Sequence, residues 1–271
     1  MIPRSYLYVP GDQPAKLAKA AGRGADALIV DLEDAVARQA KNAARRTAAA
    51  YLGGGGQAWV RINADALAAD ITAVAGTAGL AGLVVPKAEP GLLEEVDRLL
   101  GKRSVPVVAL LETARGIRHL DAVATAPRVV RLGIGEADLA ADLGLRPDAQ
   151  RTEMWPLRSA VVVASSAAGL RAPIGPVETV VADTDRLRTG TELLLRQGFR
   201  ARTALTPAQL PIINAVFTPS EEEITAARRV VSLLEQAGSG VAVDEHGHFV
   251  DAAVARSAHE VLDRTGFPAR P

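Results

Sequence analysis

Read from its amino terminus, the chain alternates short apolar runs with longer stretches whose apolar residues recur at helical spacing. The short runs are SYLYV (5–9), ALIVD (27–31), AWVRI (58–62), GLVVP (82–86), VPVVALL (105–111), VVRLGI (129–134), RAPI (171–174) and RTALT (202–206). Between them lie helix-like segments such as PAKLAKAAGRG, GLLEEVDRLL and RTEMWPLRSAVVVASSAAGL. Apolar runs of this length, bounded by Gly and Pro, predict buried parallel strands. Eight strand-then-helix units in about 215 residues predict a (β/α)8 TIM barrel over residues 1–217, an α/β fold whose rival is the doubly wound open sheet. Beyond strand eight, TPSEEEITAARRVVSLLEQA carries a helix start at Thr218-Pro219-Ser220 with three glutamates in its first turn. GVAVDEHGHFVD then reads as a hairpin turning near Glu245–Gly247, and a last helix follows. Residues 218–271 are therefore expected to form a C-terminal helix-hairpin-helix extension, a covering that a barrel itself does not need.

Composition narrows the chemistry. Lys plus Arg equals Asp plus Glu at 31 each, so no overall field draws the chain to nucleic acid or a membrane surface, although local basic sites for phosphates remain open. The absence of cysteine removes disulfides, thiolate metal sites and cysteine nucleophiles. The opening MIPRSYLYVPGD has too short an apolar run for a signal peptide, and no span approaches membrane length. A cytoplasmic protein is expected. GIGEAD would place the third glycine of a dinucleotide fingerprint at Asp138, so that motif is missing.

Charged residues gather where the strands are predicted to end. Strand two ends in Asp31, Glu33 and Asp34, strand three in Arg61 and Asn63, strand four in Lys87, strand five in Glu112, and strand six in Glu136 and Asp138. Barrel enzymes place their sites on that face. Glu112 and Asp138 would come from neighbouring strands, and two carboxylates near 4 Å repel by about 4 kcal/mol at an effective dielectric near 20. A proton, a nearby cation or a metal must offset that. With four histidines that form no cluster in the sequence, an all-oxygen site for Mg²⁺, or Mn²⁺, is expected. Plainer readings exist for each residue. Glu112 can cap a helix or pair with Arg115, Asp138 and Asp251 can be N-caps, Arg61 can serve Asp31 or Glu33, and Lys87 can snorkel at an edge.

The segments LYVPGDQPAKLAKA, ALIVDLEDAV, VRIN, VVPKAE, LLETARGI, GEADLAADLG and INAVFTPSEEEITAARRV, taken in order, resemble the citrate lyase beta-subunit-like (CitE-like) proteins. These belong to the malyl-CoA lyase and HpcH/HpaI aldolase superfamily. The resemblance runs from Ser5 to about Ala258 and implies a Mg²⁺-dependent barrel, often trimeric, that cleaves 3-hydroxyacyl thioesters. It implies Glu112 and Asp138 as metal ligands and Arg61 as the contact to substrate oxygens. Glu33 and Asp34 would sit near metal-bound water or Arg61. The loop from Gly11 through Lys16 and Lys19 would approach the CoA pantetheine and phosphates, with Lys87 a further substrate contact. Asp251 would be the proton donor, carried by the extension into a neighbouring subunit's site. Two departures stand out. The family's IHPxQ pattern reads Leu205-Thr206-Pro207-Ala208-Gln209 here, and its aspartate after strand seven is Gly175.

The expected function is cleavage of a citramalyl-, malyl- or citryl-CoA type substrate into acetyl-CoA and a 2-keto acid. The alternatives are an HpcH-type aldolase acting on free keto acids and an acyl-CoA- or metal-binding protein without turnover. The expected assembly is a homotrimer or higher.

Overall fold

The computed structural model describes residues 2–238, 240–245 and 247–266. Eight strands, β1 (Ser5–Pro10), β2 (Ala27–Asp31), β3 (Ala58–Arg61), β4 (Leu80–Val85), β5 (Val107–Leu111), β6 (Val129–Ile134), β7 (Arg171–Gly175) and β8 (Ala201–Ala204), close in chain order into one barrel. Closure is made by parallel pairing of β1 with β8, in the register Ser5↔Arg202, Tyr6↔Thr203 and Leu7↔Ala204. That pairing excludes an open sheet. The helices on the intervening segments are α1 (Pro14–Ala20), α2 (Lys41–Gly53), α3 (Leu67–Val74), α4 (Pro90–Leu100), α5 (Ala114–Arg118), α6 (Leu120–Ala124), α7 (Glu136–Leu143), α8 (Trp155–Ala167), α9 (Thr184–Arg196) and α10 (Leu210–Phe217).

The apolar runs become strands because a parallel barrel buries both of their faces. All five residues of β5 are buried. Tyr6, Ile29, Val84, Val108, Leu110, Ile174 and Ala201 form one cluster, with Trp59 packed against it. Residues from so many strands meet only inside the barrel, where Tyr6 and Trp59 make an edge-to-face pair at 6.4 Å. At the amino end of the strands Arg131 closes this core. It is 2% exposed and donates to Ala172 O (2.6 Å), Pro3 O (3.1 Å) and Tyr6 OH (3.2 Å). The carboxyl ends are left for polar chemistry.

The chain divides into two compact units, Pro3–Ile213 and the chain from Asn214 onward with Ile2, the boundary falling within α10. In the second unit α11 (Glu221–Ala237) leads to a two-stranded antiparallel hairpin, β9 (Val241–Val243) and β10 (Phe249–Asp251), and then to α12 (Ala252–Asp263). Ser220 and Glu223 form a reciprocal capping box at the start of α11. Helix, hairpin and helix therefore follow in the expected order. Of the hairpin turn, His246 lies outside the described residues.

Candidate active site

The site starts from how β2 and β3 end. Asp31, 1% exposed, accepts the N–H of Glu33 (2.9 Å) and of Ala35 (3.1 Å), which turns the chain sharply after the strand. Its two oxygens also take the fork of Arg61, Nε at 2.7 Å and Nη2 at 2.6 Å. Arg61 Nη1 reaches Glu33 at 2.8 Å and Asp34 at 3.5 Å, and its guanidinium lies 4.9 Å over the ring of Tyr8. The side-chain hydrogen bond to Asp31 raises the Arg61 pKa against its burial, keeping it charged. Burial pushes Tyr8 upward, so it stays neutral.

A second tier of bonds fixes that turn. Lys41 Nζ donates to Leu32 O, Glu33 O and Asn63 Oδ1, each at 2.7 Å. Asn63 in turn donates its Nδ2 to Leu32 O and Asp70, and its main-chain N–H to Asp70. Asp70, fully buried, is held by Arg45 at 2.6 Å. The loop that carries Glu33 and Asp34 is thus ordered by α2 and α3 beneath it.

Lys87 ties this half of the site to β5. Its Nζ pairs with Glu33 at 2.7 Å and stands 3.9 Å from Glu112. Its main-chain N–H donates to Glu112 Oε1 at 2.9 Å. Glu112 is 3% exposed, and burial, followed by the charges of Glu33 and Asp138, pushes its pKa up to about 8. Its other oxygen, Oε2, faces Gly135 at the start of α7, where a Cβ would collide with it. Only glycine admits the carboxylate there. The plainer readings of Glu112 fail: Thr113 caps α5 by accepting from Gly116 N–H at 3.0 Å, and Arg115 pairs with Glu89. Asp138 is not a cap either, since Gly135 occupies the N-cap of α7.

These groups surround a cleft of about 440 Å³ that Arg61, Asp34, Glu112 and Asp138 all line. A polar groove of about 820 Å³ is lined by Glu33, Asp34 and Lys87 together with Arg38, Lys41 and Arg45. The nine residues that the sequence places at strand ends, Asp31, Glu33, Asp34, Arg61, Asn63, Lys87, Glu112, Glu136 and Asp138, are therefore all gathered at these two cavities. The others are not. Gly11 lets the loop after β1 approach β2, donating its N–H to Asp31 O at 2.8 Å; a Cβ there would meet Leu32 at 2.9 Å. Lys16 and Lys19 are exposed on α1 and line neither cavity. Asp251 belongs to the second unit, where it caps α12 by accepting from Ala253 and Val254 N–H. Thr206 stands at the N-cap of a 3-10 turn, Pro207–Gln209, and Gln209 Oε1 takes the N–H groups of Leu205 and Thr206. At Gly175 a Cβ would lie 2.7 Å from Leu194 Cδ1, so the departure from aspartate is matched by packing.

Sequence reasoning noted Glu136 but not its partners. It is fully buried, clamped bidentately by Arg158 (2.5 and 3.0 Å) and touched by Arg151 at 3.1 Å. Arg158 lies inside α8, 22 residues on, with no local spacing that marks it.

The donor set suits a hard divalent cation. Glu112, a buried residue, has one oxygen, Oε2, with no protein donor among the described residues, its charge disfavoured by burial and then by neighbouring carboxylates, and Asp138 lines the same cleft. Among the described residues no group of three or more His, Asp or Glu side chains gathers as a ready metal cage. Two carboxylates with the remaining positions left to water and substrate are what magnesium uses, whereas zinc and calcium sites recruit more protein ligands.

A parallel eight-stranded barrel with carboxylates and an arginine at the carboxyl ends of its strands is the architecture of a barrel enzyme. The HpcH/HpaI aldolase/citrate lyase family model matches residues 4–207, and the chain belongs to this family, a family of carbon–carbon lyases. It is 35% identical to a (3S)-malyl-CoA thioesterase of Cereibacter sphaeroides over 96% of its length and 92% of that protein. It is 34% identical to a citrate lyase subunit beta-like protein of Mycobacterium tuberculosis over 96% and 95%. A crystal structure of CitE from Mycobacterium tuberculosis with magnesium, acetoacetate and coenzyme A superposes with a TM-score of 0.81, at 32% identity, covering 97% of this chain and 98% of that one. No helix among the described residues is long and apolar enough to cross a membrane.

Proposed function

We propose that the protein is a Mg²⁺-dependent lyase that cleaves a 3-hydroxyacyl-CoA thioester into acetyl-CoA and a 2-keto acid. The observation that carries this reading is the Glu112 carboxylate, buried, destabilised as an anion and facing Asp138 across a cleft that also holds Arg61. Glu112 and Asp138 hold the metal, Mg²⁺ or Mn²⁺. When bound, it acts as a Lewis acid that polarises the oxygen destined to become the ketone. Arg61, its geometry fixed by Asp31, Glu33 and Asp34, orients the substrate oxygens and opposes oxyanion charge. Cleavage breaks the bond between the hydroxyl-bearing carbon and the carbon next to the thioester. The hydroxyl proton leaves to a base, and the electron pair forms a thioester enolate that must be protonated to give acetyl-CoA. We assign that proton to Asp251 of a neighbouring subunit in a homotrimer or higher assembly, with Lys16 and Lys19 meeting the CoA phosphates. Neighbours of 32% identity crystallised with magnesium and pyruvate or oxaloacetate support a keto-acid product.

One observation favours a second reading, hydrolysis of the thioester, because relatives 35% identical are (3S)-malyl-CoA thioesterases. Incubation with malyl-, citramalyl- and citryl-CoA and Mg²⁺ separates the two. The lyase releases a keto acid and no free thiol; the thioesterase releases free CoA thiol and no keto acid. Binding without either product would leave a protein without turnover.

A further inference from the structure

The cleft contains a second guanidinium that the cleavage scheme does not use. Arg151 lines it together with Arg61, with a side chain 19% exposed. Its Nη1 touches Glu136, but that carboxylate is already neutralised by the bidentate clamp of Arg158, 5% exposed. Among the described residues Nε and Nη2 of Arg151 have no partner. One carboxylate between two guanidiniums leaves a surplus positive charge, and Arg151 is the one that faces the cleft.

The backbone aims Arg151 deliberately. It adopts the left-handed conformation, φ 56° and ψ 43°, immediately before a 3-10 turn, a conformation that costs a non-glycine residue energy and is retained where position matters. The loop is cross-braced beneath it. Asp148 accepts from Thr152 N–H (3.0 Å) and Oγ1 (2.7 Å), Glu153 accepts from Asp148 N–H (2.9 Å), and Arg151 N–H donates to Asp148 O (3.1 Å). A guanidinium fork held this way suits a planar carboxylate.

Resting on the lyase reading, we propose that Arg151 binds a second carboxylate on the keto-acid half, beyond the one that every 2-keto acid carries. The substrate class is then a 3-hydroxyacyl thioester whose released keto acid is a dicarboxylate of the oxaloacetate type, and Arg151 is the residue that selects it over pyruvate or glyoxylate. Its partner Glu136 lies two residues from Asp138, so the charge sits at the reacting end of the cleft and not along a CoA arm.

The test is calorimetric titration with Mg²⁺ and fresh oxaloacetate, pyruvate or glyoxylate on the intact protein and on Arg151→Gln and Arg151→Lys. The wild type should prefer oxaloacetate by about tenfold or more, the worth of one charge-assisted contact. Arg151→Gln should erase that ratio, and Arg151→Lys should restore part of it. Equal affinities in the wild type, or a glutamine variant that weakens all three ligands alike through Glu136, overturns the inference while leaving the lyase intact. Failure of every keto acid to bind with Mg²⁺ overturns the lyase reading and the inference with it.

Discussion

The main-chain N–H of Lys87 donates to Glu112 Oε1 at 2.9 Å from a left-handed backbone, φ 49°. One residue thereby fixes two carboxylates, Glu112 through its N–H and Glu33 through its ammonium at 2.7 Å. Left-handed backbone costs a residue with a Cβ about 1 kcal/mol or more, so the strain is repaid by the geometry it creates.

Lys87→Gly and Lys87→Ala separate these two services. Both lose the ammonium, but glycine keeps the N–H in place without strain. The glycine variant should be more stable than the alanine variant by about 1 kcal/mol in urea unfolding. Both should lose turnover alike, by about tenfold to a hundredfold, because Glu33 keeps Arg61 but loses its second cationic partner. Full turnover in Lys87→Gly would show that only the N–H is used.

Glu112 sets a pH dependence whose direction follows from its raised pKa. Below about pH 4.5, the ordinary value, it is protonated folded and unfolded alike, and no penalty applies. Between there and its folded value of about 8 the unfolded chain ionises and the folded chain does not, so metal-free protein loses stability as pH rises. Glu112→Gln should flatten that decline. Mg²⁺ competes with the same proton, so binding at pH 7 should release one, and affinity should rise up to about pH 8. Titration in two buffers of different ionisation enthalpy reads the proton directly. No release at pH 7 would remove Glu112 from the metal shell.

Asp70 ties the loop of Glu33 to the helices below, through Arg45 and both donors of Asn63. Asp70→Ala strands a largely buried guanidinium and two buried donors, and should cost about 3–5 kcal/mol. Asp70→Asn keeps the shape and should cost less. Denaturant unfolding checks both. A cost for Asp70→Ala under about 1 kcal/mol would mean that the loop is held by Lys41 alone.

The barrel was legible because its signal is local. Each strand is a buried apolar run, and β5 shows it in five consecutive residues. The mouth was legible for a related reason: strand ends are adjacent in a barrel, so Arg61, Lys87, Glu112 and Asp138 could be gathered from their positions alone. Arg158 could not. It reaches Glu136 from inside a helix, and a mid-helix arginine looks the same in sequence whether it faces solvent or a buried carboxylate. Asp70 was hidden likewise, since an aspartate in a first turn is an ordinary feature of helix starts; Asn63 was placed at the end of strand three, but not its bonds to Lys41 and Asp70.

Thr206 occupies the position of the family's histidine and stands at an N-cap. Its Oγ1 is buried without a hydrogen-bond partner among the described residues, so Thr206→Ala removes no cap bond and should change stability little and leave turnover nearly intact. A loss beyond about a hundredfold, ~2.7 kcal/mol in the barrier, would give the hydroxyl a part in the chemistry.

Asp251 has two possible occupations, and one pair of substitutions divides them. Within its own unit it caps α12, and the N–H groups of Val254 and Ala253 hold its carboxyl below the usual carboxylate range. A cap needs an acceptor, which asparagine supplies as well as aspartate. A proton donor needs an ionisable group, which asparagine lacks. Asp251→Asn should therefore keep the stability of the wild type and abolish turnover, whereas Asp251→Ala should lose turnover and about 1 kcal/mol of stability. The depressed pKa adds a direction. To donate in cleavage, Asp251 must have that pKa raised by burial in the neighbour's site; the same carboxylate, ionised, takes the proton from acetyl-CoA in the condensing direction. The assembly is read by mixing Asp251→Asn with Arg61→Ala, each inactive alone. Co-refolded oligomers should recover part of the activity, because some sites draw an intact Arg61 and an intact Asp251 from different chains. Full activity in Asp251→Asn would leave the residue as a cap alone; no recovery in verified mixed oligomers would place its chemistry within its own subunit.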